Sequence, residues 1–145
     1  MKTQSWRFQV PFLLLLPVIV CVIYAPAFDA PFIFDDQRNL FDKHLTVTEL
    51  SWGNLYNATF KGALARPVAN LTFALNYYVQ GQKVFGYHLV NIVIHLLSGF
   101  ALFACLCKIL RVPRLQDAIS DPFWPAYCTV LLWLVHPLHI QSVTY

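Results

Sequence analysis

Charge is scarce in this sequence: Lys, Arg, Asp and Glu make up 12% of its 145 residues, against 58% hydrophobic types. A soluble domain of this size needs more polar surface than that, so a bilayer is the natural solvent for the chain. The Lys and Arg residues, ten in all with a formal net charge of +3, nowhere form a cluster or a basic face. That distribution excludes a nucleic-acid interface. Cysteine is equally sparse. Cys21, Cys105, Cys107 and Cys128 all fall inside apolar runs without ligand spacing to a histidine, which excludes a disulfide framework and a zinc site. They are expected to be small core residues. Neither an internal repeat nor a low-complexity tract is present.

What remains is apolar sequence in long pieces. Residues 8–28, 84–107 and 122–145 carry no charged side chain, and each run is long enough for a helix rising ~1.5 Å per residue to cross a hydrocarbon core of ~30 Å. The first run follows Lys2 and Arg7 and ends near Ala25-Pro26-Ala27, so a cleaved signal peptide competes with an anchor. Its length and the proline in the supposed cleavage site favour the anchor. Tyr87, Trp124 and Tyr127 sit near run ends, where interfacial aromatics belong. The fold class expected is therefore all-α, a polytopic membrane helix bundle of three transmembrane helices. Lys108, Arg111 and Arg114 lie in the short connection between the second and third runs, and Lys2 and Arg7 at the start. The positive-inside bias places both in the cytoplasm, which leaves residues 29–83 as an outer loop.

Within that loop, residues 67–82 are uncharged yet contain Asn70, Asn76, Gln80 and Gln82. Val68, Leu71, Leu75 and Tyr78 share one helical face, and the amides fall elsewhere, a pattern suited to an interfacial helix rather than a crossing. Because the sequence stops at QSVTY, directly after the third apolar run, further spans are expected beyond Tyr145.

Several side chains could carry chemistry. Asp35 and Asp36 follow the first run closely, flanked by Phe32, Ile33 and Phe34. Adjacent like charges beside aromatics raise a carboxylate's proton affinity, which suits a general base; an exposed acidic turn is the plainer alternative. His88, Asn91, His95 and Ser98 recur at three- and four-residue steps and form one polar stripe on the second helix. Such a stripe either lines a functional path or bonds helices together. His136 and His139 stand one turn apart around Pro137, on the outer side if the third run starts in the cytoplasm. Two histidines without a third ligand make a poor metal site. Arg66 precedes Pro67 at the interfacial helix and is placed either to grip a phosphate or to anchor the helix at the lipid surface.

Taken together, FIFDDQRNL, then RPVANLTFALNYYVQGQKVFGYHLVNIVIHLLSG, then WLVHPLHIQSVTY resemble the start of the transmembrane and tetratricopeptide-repeat O-mannosyltransferases and their bacterial relatives, in the type-C glycosyltransferase superfamily. The resemblance implies a membrane enzyme that moves a sugar, mannose in this family, from a polyprenyl-phosphate donor to a Ser or Thr hydroxyl of an acceptor protein at the extracytoplasmic face. It implies Asp35 and Asp36 as the catalytic acidic pair, with a divalent cation conceivable there but no certain cofactor. Arg66 would steady the donor phosphate, and His136 and His139, with His88 on the stripe, would line the site. Gln141 stands where some relatives carry an acidic residue after the second histidine. The location implied is a bacterial inner membrane, multi-pass, with membrane lipids as partners and the N-terminus cytoplasmic; a piece of this length is expected to be inactive alone. Two other classes fit the composition: a non-catalytic module or scaffold in envelope polysaccharide assembly, and a transporter, for which the inverted repeat is missing.

Overall fold

In the computed structural model, residues 5–31, 40–62, 65–116 and 118–144 are described. Their elements are all helical: α1 (Ser5–Tyr24) with a 3-10 continuation (Ala25–Asp29), α2 (Trp52–Lys61), α3 (Pro67–Gln80), α4 (Val84–Ile109), the single turn α5 (Pro113–Gln116), α6 (Phe123–Leu134), a 3-10 turn (Pro137–His139) and α7 (Ile140–Thr144). Asp35 and Asp36 lie outside the described residues. The chain divides into two compact units, one drawn from Met1–Ala27 and Asn91–Val143, the other from Phe28–Val90 with Thr144–Tyr145.

In the first unit, Leu16, Val20 and Tyr24 recur every fourth residue on α1 and are buried, while Phe8, Leu14, Val18 and Val22 point outward. An apolar helix with an apolar exposed face is the signature of lipid as surrounding medium, since in water that face would be polar. α1 with its 3-10 continuation and the 26-residue α4 are both long and apolar enough to cross a bilayer. The third apolar run departs from the expected single helix over 122–145. α6 has 12 residues, roughly 18 Å at the helical rise, and Pro137 is the reason it stops. The residue before a proline is pushed out of the helical region, and His136 accordingly has φ −66° and ψ 131°. At the other end, Asp121 accepts the Phe123 amide (3.0 Å) and the Gln9 side-chain amide (3.0 Å), closing the start of α6 against α1. The cysteines also differ from expectation: Cys21, Cys105 and Cys128 are exposed, because they fall on the outward faces of their helices rather than in the core.

The second unit is built on the pair α2 and α3. Ser51 caps α2 by accepting the Asn54 amide (3.2 Å), and α2 was not foreseen in the polar stretch of the outer loop. Leu45, Val47, Ala58 and Ala74 form a small core with Phe73 against it. Asn70 and Asn76 face inward, and Asn70 Nδ2 donates to the Thr59 carbonyl (3.4 Å), whereas Val68, Leu75 and Tyr78 are exposed. The division of faces read from the sequence is thus present, with Asn70 turned to α2, Asn76 buried beside Gly86 and the apolar face outward. α3 ends at Gly81, whose φ of +63° is a left-handed cap that favours glycine.

Close approach in the first unit gives a stability test. A Cβ at Gly99 would come within 2.7 Å of the fully buried Leu134 side chain. Gly99→Val is therefore expected to destabilise the protein by ~1–3 kcal/mol through overpacking, measured as thermal unfolding in detergent; an unchanged melting temperature would show that α4 and α6 do not meet here.

Candidate functional site

The site grows from the break in α6. Pro137 has no amide proton, and the amide of Leu138, which in a continuing helix would serve the Leu134 carbonyl, turns instead to His136 Nδ1 (3.3 Å). The Leu134 carbonyl is left without its helical partner in an apolar surrounding, where an unserved polar group costs several kcal/mol. Two side chains supply donors. His95 Nε2 lies 2.9 Å from this oxygen and the Tyr24 hydroxyl 3.2 Å. A carbonyl can only accept, so His95 carries its proton on Nε2 and, in the neutral ring, keeps Nδ1 as an acceptor. α1, α4 and α6 are thereby joined at one oxygen.

Around that oxygen an aromatic cluster assembles. Trp133 stacks on His95 with centroids 5.1 Å apart, and His139 packs on Trp133 at 4.4 Å and lies 5.2 Å from His95. Tyr24 meets the His95 ring edge-on at 5.6 Å. Beside the cluster is a cavity of about 210 Å³ lined by Asn91, Ile94, His95, Ser98, Trp133, His139 and Val143. Its polar members come from the α4 stripe. Asn91 Nδ2 donates to the Val143 carbonyl (3.4 Å), while the exposed Ser98 bonds back to Ile94 of its own helix (2.9 Å). Among the described residues no charged side chain lines the cavity, so these walls suit a neutral, hydroxyl-bearing group better than an ion.

Of the residues singled out in the sequence, His139 reaches this cavity, and His136 stays exposed and caps the 3-10 turn. His88 and Arg66 belong to the second unit. There His88 is buried against the Ala30 carbonyl (3.3 Å), and Arg66 is exposed at the start of α3, making no capping hydrogen bond with its side chain. Asp35 and Asp36 fall outside the described residues. Among the described residues, no three His, Cys, Asp or Glu side chains converge as a metal ion would require, so they offer no ligand set for the cation that the resemblance makes conceivable. The sequence reading missed Trp133 and the part His95 plays with His139; the signal available was a tryptophan and a histidine on either side of a helix-ending proline.

The chain is 34% identical over 147 residues to protein O-mannosyl-transferase Tmtc3 of Drosophila melanogaster, covering 87% of the chain and 16% of that protein. It is 29% identical over 140 residues to protein O-mannosyl-transferase tmtc2 of Xenopus laevis, and 28% over 130 residues to TMTC2 of Homo sapiens, covering 90% and 83% of the chain. The chain is a relative of the protein O-mannosyl-transferases. It spans 16% and 14% of the length of the frog and human members of this family. No family model matches the chain, and no solved structure matches it.

Because His95 and Tyr24 serve the same oxygen, their losses should not add. His95→Phe or Tyr24→Phe alone is expected to cost about 0.6–1.7 kcal/mol, and the double variant more than the sum, because the Leu134 carbonyl then has no donor. A double-mutant cycle on unfolding checks this; additivity within ~0.3 kcal/mol would show that the two side chains act independently.

Proposed function

We propose that this chain supplies part of the catalytic membrane domain of a glycosyltransferase that moves a sugar, mannose by family analogy, from a polyprenyl-phosphate donor to a Ser or Thr hydroxyl of a protein at the extracytoplasmic face. The observation that carries this reading is the similarity over 83–90% of the chain to proteins named protein O-mannosyl-transferases. Support from the residues is chemical. A carboxylate of Asp35 or Asp36 takes the proton from the acceptor hydroxyl as its oxygen attacks the anomeric carbon, and the bond from that carbon to the donor phosphate breaks. The phosphate leaves on its polyprenyl chain with its negative charge. Arg66, exposed at the start of α3, offers a guanidinium suited to two parallel bonds to that phosphate. His139, with His95 and Trp133, lines the cavity of the first unit, and His136 shapes the turn that presents His139.

A scaffold is the second reading. It is favoured by one observation: His88, Asn91 and His95 are each engaged with a backbone carbonyl, which is what helix-joining side chains do.

Two measurements on the complete protein separate the readings. Asp35→Asn and Asp36→Asn are expected to lower sugar transfer by ~10²–10⁴-fold in at least one case, the usual worth of a general base; full turnover in both variants would remove the acidic pair from the reaction. Titration with a polyprenyl phosphate should raise the melting temperature, because a ligand of the native state stabilises it. Absence of any shift, together with undiminished complex formation, would favour the scaffold.

A further inference from the structure

The polar side chains that line the cavity of the first unit have already given protons to the backbone. His95 Nε2–H serves the Leu134 carbonyl (2.9 Å), Asn91 Nδ2 the Val143 carbonyl (3.4 Å) and the Ser98 hydroxyl the Ile94 carbonyl (2.9 Å). What they have left to offer an occupant is mostly lone pairs: Nδ1 of His95, Oδ1 of Asn91 and Oγ of Ser98. Among the described residues, neither Nδ1 of His95 nor Oδ1 of Asn91 takes a hydrogen bond. His95 is 6% exposed. A lone pair that deep in an apolar bundle is costly without a donor, so a fitting occupant brings protons.

The remaining walls are aromatic and aliphatic. Trp133, His139, Ile94 and Val143 complete the lining, and Trp133 is partly exposed. An indole has a negative face, which attracts the slightly positive hydrogens of C–H groups. Four kinds of occupant can be weighed against these walls. An anion such as phosphate would set lone pairs against lone pairs, and among the described residues no Lys or Arg lines the cavity to hold it. An alkyl chain would bury the acceptors unserved. Water would serve them but leave the indole and the two aliphatic side chains wet. A pyranose ring satisfies both sets of walls, because its hydroxyls donate and its C–H face can lie on an indole. The volume of about 210 Å³ is below the ~300–1,000 Å³ of clefts that take drug-sized ligands, which suits one ring and not an oligosaccharide.

We propose that this cavity is a subsite for a single pyranose ring, with a C–H face on Trp133 and hydroxyls donating to His95 Nδ1, Asn91 Oδ1 and Ser98 Oγ. This rests on the glycosyltransferase reading given above and names the part of the substrate that the first unit holds: the sugar, not the phosphate. The ring belongs either to the lipid-linked donor or to another glycoside, and the chemistry of the walls is the same for both.

The test uses the complete protein in detergent, with fluorine-labelled tryptophan and the Trp133 signal identified as the one lost in Trp133→Phe. Its probes are methyl mannopyranoside, polyprenyl-phosphate mannose and polyprenyl phosphate without sugar. A saturable displacement of the Trp133 signal by a sugar-bearing probe is expected, and none by the bare polyprenyl phosphate. Response to the lipid-linked sugar alone assigns the ring to the donor, response to the glycoside alone assigns it to another glycan, and response to both shows that the walls take the ring whatever carries it. Ser98 is exposed and bonds only within its own helix, so Ser98→Ala should keep the fold and raise the half-saturating concentration by about 2- to 10-fold, the worth of one neutral hydrogen bond. Asn91→Leu, close in size, should raise it at least as much. No saturable displacement by either sugar-bearing probe, an equal one by the bare phosphate, or unchanged half-saturation in both variants would overturn the subsite. Sugar transfer measured on the same samples keeps the failures apart. A Trp133 response in a protein that transfers nothing removes the transferase reading and leaves a sugar site, whereas normal transfer without any Trp133 response removes only the subsite.

Discussion

An amide or carbonyl without a partner is tolerable in water and ruinous in hydrocarbon, and the fold follows from how this chain meets that constraint. Pro137 ends α6 inside an apolar run and strips the Leu134 carbonyl of its helical donor. The oxygen is then served from two other helices, by His95 and by Tyr24. Everything near the candidate site depends on this repair: the seating of His95, the stacking of Trp133 on it, and the cavity that opens beside His139. Without the proline, α6 could run on, the carbonyl would need no visitor, and neither buried histidine nor buried tyrosine would have a structural reason to be where it is.

The same solution recurs in the second unit. His88 serves Ala30, Tyr87 serves Gly81 and Asn70 serves Thr59; each of those carbonyls lies at or near the end of an element, where helices leave oxygens unpaired. Side chains that a soluble protein would send to solvent are here spent on backbone. Each such bond is modest, about 0.6 kcal/mol on average in a membrane setting, but the alternative of an unserved carbonyl is several times worse. Direction, rather than net energy, is what these bonds add to an apolar bundle whose other contacts can slide.

The parts of this organisation that were legible in the sequence are those with a period or a length. Charge-free runs gave α1 and α4, and the separation of Asn70 and Asn76 from Val68, Leu75 and Tyr78 gave the two faces of α3. The three- and four-residue recurrence of His88, Asn91, His95 and Ser98 gave the stripe. Counting uncharged residues treated 122–145 as one crossing in spite of Pro137, because composition is blind to a missing amide proton. α2 was hidden for a different reason. Gly53, Asn54 and Asn57 are weak helix formers, and its aromatic residues Trp52, Tyr56 and Phe60 point outward rather than into a core, so only the Ser51 cap signals it. Which carbonyl a histidine serves cannot be read from one sequence at all, since the partners are 39 and 58 residues away along the chain for His95 and His88.

Structural and functional readings of the histidines are often set against each other, yet an imidazole has two nitrogens and can answer to both. Donating Nε2–H to a carbonyl fixes the ring and its tautomer, and the fixed tautomer makes the other nitrogen an acceptor of known direction. His95 spends one nitrogen on Leu134 and lines the cavity with the same ring; His88 spends one on Ala30 and keeps a buried lone pair. A glutamine could serve either carbonyl without presenting a ring for Trp133 to stack on, and a phenylalanine could stack without serving the carbonyl. Histidine meets both demands at once at position 95, which is why a polar stripe that joins helices can also line a cavity.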